Sequence, residues 1–122
     1  MSSIVFGDIP IEFSQYNQSR VVILPVPYEQ TTSYLKGTAK GPEAILKTAD
    51  QIELFDEKLK IEPFRMGIHI LPFMDATSEP TESFFNQIED EVFIHLAQQK
   101  LVVILGGEHT ITLGGVKGAK KV

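Results

Sequence analysis

The groups in this sequence best placed to do chemistry lie where Leu101-Val102-Val103-Ile104-Leu105 breaks into Gly106-Gly107-Glu108-His109-Thr110-Ile111-Thr112. Five apolar residues followed by two glycines read as a buried strand ending in a tight turn. A carboxylate and an imidazole then sit where the turn opens toward a helix. Open α/β sheets place their chemistry at this position, outside the carboxyl ends of the strands. Two readings of the motif stand side by side. In one, the glycines only make a strand-to-helix turn, Glu108 complements the positive helix N-terminus and His109 packs. In the other, His109 offers a neutral imidazole to a divalent metal, with Glu108 as the hydrogen-bond partner that orients it. A lone histidine is not a metal site, because three or more protein ligands are normally needed.

The remaining candidates are weaker. Cysteine is absent, so any metal must be held by nitrogen and oxygen ligands. His69 falls in a strand and His95 in a helix, neither with a partner at metal-ligand spacing, and both read as structural or solvent-facing. The loop from Tyr28 to Gly41 holds Thr31-Thr32-Ser33-Tyr34 and the pair Gly37 and Gly41. Its hydroxyls suit local backbone bonds and its glycines suit turns. Following the first strand, it also lies at the same end of the sheet as His109 and is expected to rim a pocket there. Gly37-x-x-x-Gly41 lacks the spacing and the Lys-Ser/Thr of a phosphate loop.

Three strands and three helices must position these residues. Val21 to Leu24 shows no polar alternation, so it reads as a strand buried on both faces, stopped by Pro25 and Pro27, which cannot donate to a ladder. Pro42 suits the first position of a helix whose apolar residues are Ala44, Ile45, Ala49 and Ile52, running to about Phe55. A second strand is expected from Arg65 to Leu71, closed by Pro72. A longer helix begins near Glu79-Pro80, with Phe84, Ile88, Val92 and Leu96 as its stripe, Phe85 and Phe93 widening it, and Glu82, Glu89, Asp90, Gln98 and Gln99 on the wet face. Leu101 to Leu105 is the third strand, apolar throughout and expected to be covered on both faces beside or near the first. A third helix starts near Thr110. Alternating strands and helices of this kind imply a parallel sheet with right-handed crossovers, hence an α/β protein of three layers.

At 122 residues the chain reads as one domain, 1–122, with an N-terminal arm over 1–19. Its 43% apolar and 22% charged residues mark a globular chain and not a disordered one. A net charge of −5 argues against nucleic acid as a partner, which calls for a basic surface. The lysines at 117, 120 and 121 read as a solvated terminus. Neither a signal peptide nor a membrane span is legible, and the cytoplasm is the expected compartment.

Two stretches together resemble a known family. Gly106-Gly107-Glu108-His109-Thr110-Ile111-Thr112 resembles the first metal-ligand motif of the ureohydrolases, the arginase and agmatinase family. Val26-Pro27-Tyr28-Glu29-Gln30-Thr31-Thr32-Ser33-Tyr34, then Gly37, then Gly41-Pro42-Glu43-Ala44-Ile45, is similar to that family's N-terminal loop and first helix in the agmatinase branch. The resemblance runs from about Val21 to the end and corresponds to the N-terminal portion of a family member. It implies the N-terminal part of the arginase/agmatinase fold. It also implies a parent activity in which two Mn²⁺ ions hold a bridging hydroxide that attacks the guanidinium carbon and releases urea. Agmatine is the expected guanidino substrate, giving putrescine, a step of polyamine biosynthesis. A guanidinium carbon is a poor electrophile, which is why a metal-generated hydroxide is needed.

Within the family the histidine of this motif is a metal ligand, and only His109 inherits that role here. The other ligands come from downstream Asp-x-His-x-Asp and Asp-x-Asp motifs that this sequence does not contain. Asp8, Asp50, Asp56, Asp75 and Asp90 lie at the wrong spacings to replace them. The chain alone is therefore expected to be inactive and to retain Mn²⁺ poorly. The rival readings are a non-catalytic subunit or interaction module that retains the half-fold, and, more remotely, an unrelated nucleotide- or ligand-binding α/β domain. Gly114, Gly115 and Gly118 predict a weak third helix, since each interior glycine costs about 1 kcal/mol relative to alanine. The sequence reads as interrupted, with an unprotected strand edge that calls for a homo-oligomer or a partner chain.

Overall fold

β1, Val21–Val26, is central because both of its edges are paired: the sheet is three-stranded and parallel, in the order β2-β1-β3. β2 is Ile68–Ile70 and β3 is Leu101–Gly106. Val21 lies opposite Ile68 on one side and Leu101 on the other, and Val26 opposite Gly106. The structure, a computed structural model, describes residues 4–31, 35–76 and 81–122.

Side-chain alternation on β1 divides the core into two clusters. Val22, Leu24 and Val26 pack with Phe84, Ile88 and Val92 of α2, Thr81–Ala97. Ile23 packs on the opposite face with Leu46 of α1, Gly41–Lys47, and with Ile70. The sheet is thus the middle of three layers, as the strand–helix alternation predicts.

Pro25 does not stop β1. Odd positions of this strand bond toward β2, and Ile23 faces Ile70, the last residue of β2. Pro25 lies beyond the paired residues of β2, and its carbonyl still accepts from the Met74 N–H at 3.0 Å, so the strand continues to Val26 along β3. β2 is shorter than expected because Pro63–Met66 forms a 3-10 turn before it. The turn closes at Gly67 with φ +83°, where a Cβ would fall 2.6 Å from the Gln18 carbonyl oxygen.

The first helix is also shorter than the sequence suggests, and it turns a different face inward. Pro42, Leu46 and Ala49 are buried, while Ile45, Ile52 and Phe55 are exposed. Regular helix ends at Thr48, whose hydroxyl donates to the Ala44 carbonyl, and a 3-10 turn replaces it over Ala49–Gln51. α2 carries the expected stripe of Phe84, Ile88 and Val92, extended by a buried His95, with Phe85, Phe93 and Leu96 half-buried. The start near Glu79-Pro80 lies outside the described residues.

α3, Thr112–Ala119, is formed despite its glycines, and the glycines explain its packing. Gly114 and Gly118 are buried on one face against α2. A Cβ at Gly118 would lie 2.5 Å from the Glu89 carbonyl oxygen, and one at Gly114 2.9 Å from Ile88 Cβ. The missing side chains let two helix backbones approach closely, and this contact offsets the propensity cost. Lys121 then bridges Glu89 at 2.7 Å and Asp90 at 3.6 Å, so these two acidic residues are not simply a wet face.

β3 departs from the reading of two covered faces. Its edge away from β1 has no strand partner among the described residues, and Leu101 and Val103 are exposed, the former by 62%. These residues share a face with Ile23, and α1 shields only the far end of β3. The N-terminal arm packs on both core clusters, Phe6 against that of Ile23 and Tyr16 against that of Val22 and Leu24. Tyr16 donates its hydroxyl to His95 Nδ1 at 2.7 Å, and Lys100 Nζ donates to the carbonyls of Tyr16 and Ser19. No helix among the described residues is long and apolar enough to cross a membrane.

Candidate active site

The chain leaves β1 and β3 at the same end of the sheet, and the two exits are bonded to each other. The Gly107 N–H donates to the Val26 carbonyl at 3.2 Å and the Glu108 N–H to the Tyr28 carbonyl at 3.0 Å. Gly107 is required by this approach, since a Cβ there would overlap the Tyr28 carbonyl oxygen. Tyr28 is itself buried, stacked on Phe84 at 5.5 Å between ring centroids, so the β1 exit is anchored to α2.

Glu108 completes the junction. One carboxylate oxygen accepts the backbone N–H groups of Gln30 at 3.0 Å and Thr31 at 2.9 Å. The other accepts the hydroxyls of Thr31 and of Thr110, the latter at 2.5 Å. Burial pushes this carboxyl pKa up, but the hydrogen bonds from Thr110, Thr31 and the Gln30 backbone outweigh it. The net result is a fall from 4.5 to about 2. A second carboxylate organises the far part of the same loop: Glu29 accepts the N–H of Gly37 at 2.6 Å and of Ala39 at 3.3 Å. In the sequence Glu29 stands only within the family-like stretch, with no role of its own; its signal is an acidic side chain eight residues before a left-handed glycine.

His109 opens the 3-10 turn His109–Ile111 that leads into α3, immediately beyond the carboxyl end of β3. It is exposed, and its ring has no hydrogen bond or ion pair with another described residue. It lines an open cavity of about 450 Å³ with Ile104, Ile111 and Val116, on the β3–α3 side. The bland reading in which His109 packs is not what the structure holds. Nor does Glu108 orient the imidazole by bonding to it: its carboxylate is fully engaged by the β1 exit loop and Thr110. None of the described residues of the Tyr28–Gly41 loop lines this cavity.

The other histidines are structural, as their context predicts. His95 is buried between Tyr16 and Glu91, and the tautomer carrying its hydrogen on Nε2 satisfies both bonds. His69 Nδ1 bonds to the Ser14 carbonyl at 2.8 Å, with its ring edge-on to Tyr16. Among the described residues no three His, Asp or Glu side chains converge on a point where a metal ion would sit. The described residues therefore do not make up a manganese centre by themselves.

The site is thus a strand-turn-helix carrying Gly-Gly-Glu-His, bonded to the exit of a neighbouring parallel strand. The chain belongs to the arginase family, whose model matches residues 19–122. It is similar to the N(1)-aminopropylagmatine ureohydrolase of Synechocystis sp., with 37% identity over 113 residues, covering 88% of this chain and 37% of that protein. The protein of the same name from Thermus thermophilus is 38% identical over 109 residues, covering 89% of this chain and 36% of its own length. Among solved structures, the agmatine ureohydrolase of Thermoplasma volcanium superimposes with a TM-score of 0.81 at 25% identity, covering 97% of this chain and 38% of that one. The chain thus spans a little over one third of the length of these relatives.

Proposed function

We propose that this chain is part of an agmatinase-like ureohydrolase, contributing one metal donor, His109, to a two-manganese centre completed by residues it does not itself contain. The activity of the whole is Mn²⁺-dependent hydrolysis of a guanidino compound: agmatine and water give putrescine and urea. The observation that supports this most is the exposed imidazole of His109 at the carboxyl end of β3, with no hydrogen bond or ion pair to another described residue, in a chain of the arginase family. A structural histidine in a fold of this size finds partners, as His95 does. An unengaged imidazole at the chemical end of a parallel sheet is available for a ligand.

The similarity to the Synechocystis and Thermus proteins favours a second substrate, N(1)-aminopropylagmatine, which presents the same guanidino group. The exposed β3 edge and the exposed Leu101 and Val103 fit a chain that works against further ureohydrolase segments, a second copy or a partner chain.

The test is a urea assay in Mn²⁺ with both substrates. It is run on the 122-residue chain and on a fusion in which this chain replaces the matching segment of the Thermus relative. The chain alone is expected to release no urea. The fusion is expected to release it, and the faster substrate identifies the specificity. A folded, manganese-loaded fusion that is inactive on both would contradict the reading.

A further inference from the structure

A histidine that serves as a ligand is ordinarily oriented through its other ring nitrogen, by a carboxylate or carbonyl that fixes the ring. His109 has no such partner among the described residues, and the acidic neighbour that the sequence offers for this role does not reach it. The backbone that carries it is nevertheless cross-braced. The Glu108 N–H is tied to Tyr28 behind the turn, and its carboxylate reaches back to Gln30 and Thr31 and forward to Thr110, the residue after His109. His109 is therefore flanked on both sides by positions held through one carboxylate. Gly107, immediately before, is held so closely to Tyr28 that no side chain fits.

We infer that Glu108 is a positioning residue that aims His109 through the backbone, by joining the β1 exit loop and the His109 turn into one rigid unit. The inference rests on the reading of His109 as a functional donor. It concerns how that donor is placed and not what it binds. The chemistry of the brace is specific. One oxygen takes two backbone donors and the other takes two hydroxyls, so a side chain in this position needs glutamate's reach and two separately directed polar atoms. Glu108→Gln meets both needs, since the amide oxygen can take the two N–H groups and the NH₂ can donate to the two hydroxyl oxygens. Glu108→Asp falls one methylene short, and Glu108→Ala leaves the Gln30 and Thr31 N–H groups without their acceptor.

The experiment uses NMR on the full 122-residue chain. The readouts are amide-exchange protection at Gln30 and Thr31, the backbone coupling that reports the His109 φ, and contacts of the His109 ring with Ile111 and Val116. In Glu108→Ala, protection at Gln30 and Thr31 is expected to fall about tenfold or more, the scale of losing a charge-assisted hydrogen bond. The His109 coupling and ring contacts are expected to change with it. Glu108→Gln is expected to restore both. Should Glu108→Ala fail to fold, Thr110→Val removes only the forward arm; it is expected to shift the His109 signals while Gln30 and Thr31 stay protected. A purely structural role would lower the unfolding midpoint and leave the His109 coupling and ring contacts unchanged, and that result would overturn the inference. Because no metal or substrate enters these measurements, failure here is distinct from failure of the urea assay.

Discussion

His95 is buried on α2 with one ring nitrogen on Tyr16 and the other on Glu91, whereas His109 stands exposed beyond β3 with neither nitrogen engaged by a described residue. The two sit in regions of opposite character. Around His95 the N-terminal arm, α2 and the turn into β3 are clasped together, with Lys100 bonded to two arm carbonyls and placed 4.3 Å over the Tyr16 ring. Around His109 the sheet has an open edge and apolar residues face solvent. The imidazole of His95 is used up by the fold, and that of His109 is left free by the described residues. Residue type alone does not separate a ligand from a packing element; the polar atoms left over after folding do.

The largest effect that would sharpen this contrast is His95→Ala. It removes a buried ring and leaves the Tyr16 hydroxyl without its acceptor, so a loss of about 3 kcal/mol is expected in denaturant unfolding. A loss under about 1 kcal/mol would mean that the arm clasp contributes little. Next is Gly118→Ala, which propensity alone would favour by about 1 kcal/mol. The close approach of α3 to α2 reverses that sign: the new methyl meets the Glu89 carbonyl, and a net destabilisation of about 2 kcal/mol is expected. A stabilised variant would show that the two helices can separate freely.

A smaller, pH-dependent effect belongs to Glu108. Its folded pKa, about 2, lies below the ordinary 4.5. The unfolded chain therefore binds the proton more readily, and the stabilisation is fully present above about pH 4.5. It is lost as pH falls from there toward 2. Unfolding midpoints measured across this window should drop for the native chain and drop less for Glu108→Gln, which has no proton to take up at this position. Parallel curves would place the pH dependence elsewhere.

Much of this was legible in the sequence, for reasons that differ by element. The order of strands and helices follows from uninterrupted apolar runs at Val21 and Leu101 and from the 3.6-residue stripe of Phe84, Ile88 and Val92, all signals read locally. Pro25 misleads because its cost depends on where β2 ends, a fact about another strand. Ile45 misleads because the short helix turns Pro42 and Leu46 inward, and Ile52 because the helix ends at Thr48 before reaching it. Gly114 and Gly118 read as weakness in an isolated helix and become contact surface only once α2 lies against them. The position of His109 at the end of β3 was visible from Leu101-to-Gly107 alone. The engagement of Glu108 with Gln30 and Thr31, 77 residues and more away in sequence, was not.

The measurement that bears most directly on the role of His109 is His109→Ala in the fusion with the Thermus relative, read for both urea release and unfolding midpoint. Loss of an exposed side chain with no partner among the described residues should leave stability within about 0.5 kcal/mol, while urea release in Mn²⁺ falls below detection. Urea release that survives the substitution would show that His109 is not a donor, and a midpoint that collapses together with activity would show that it is a packing residue.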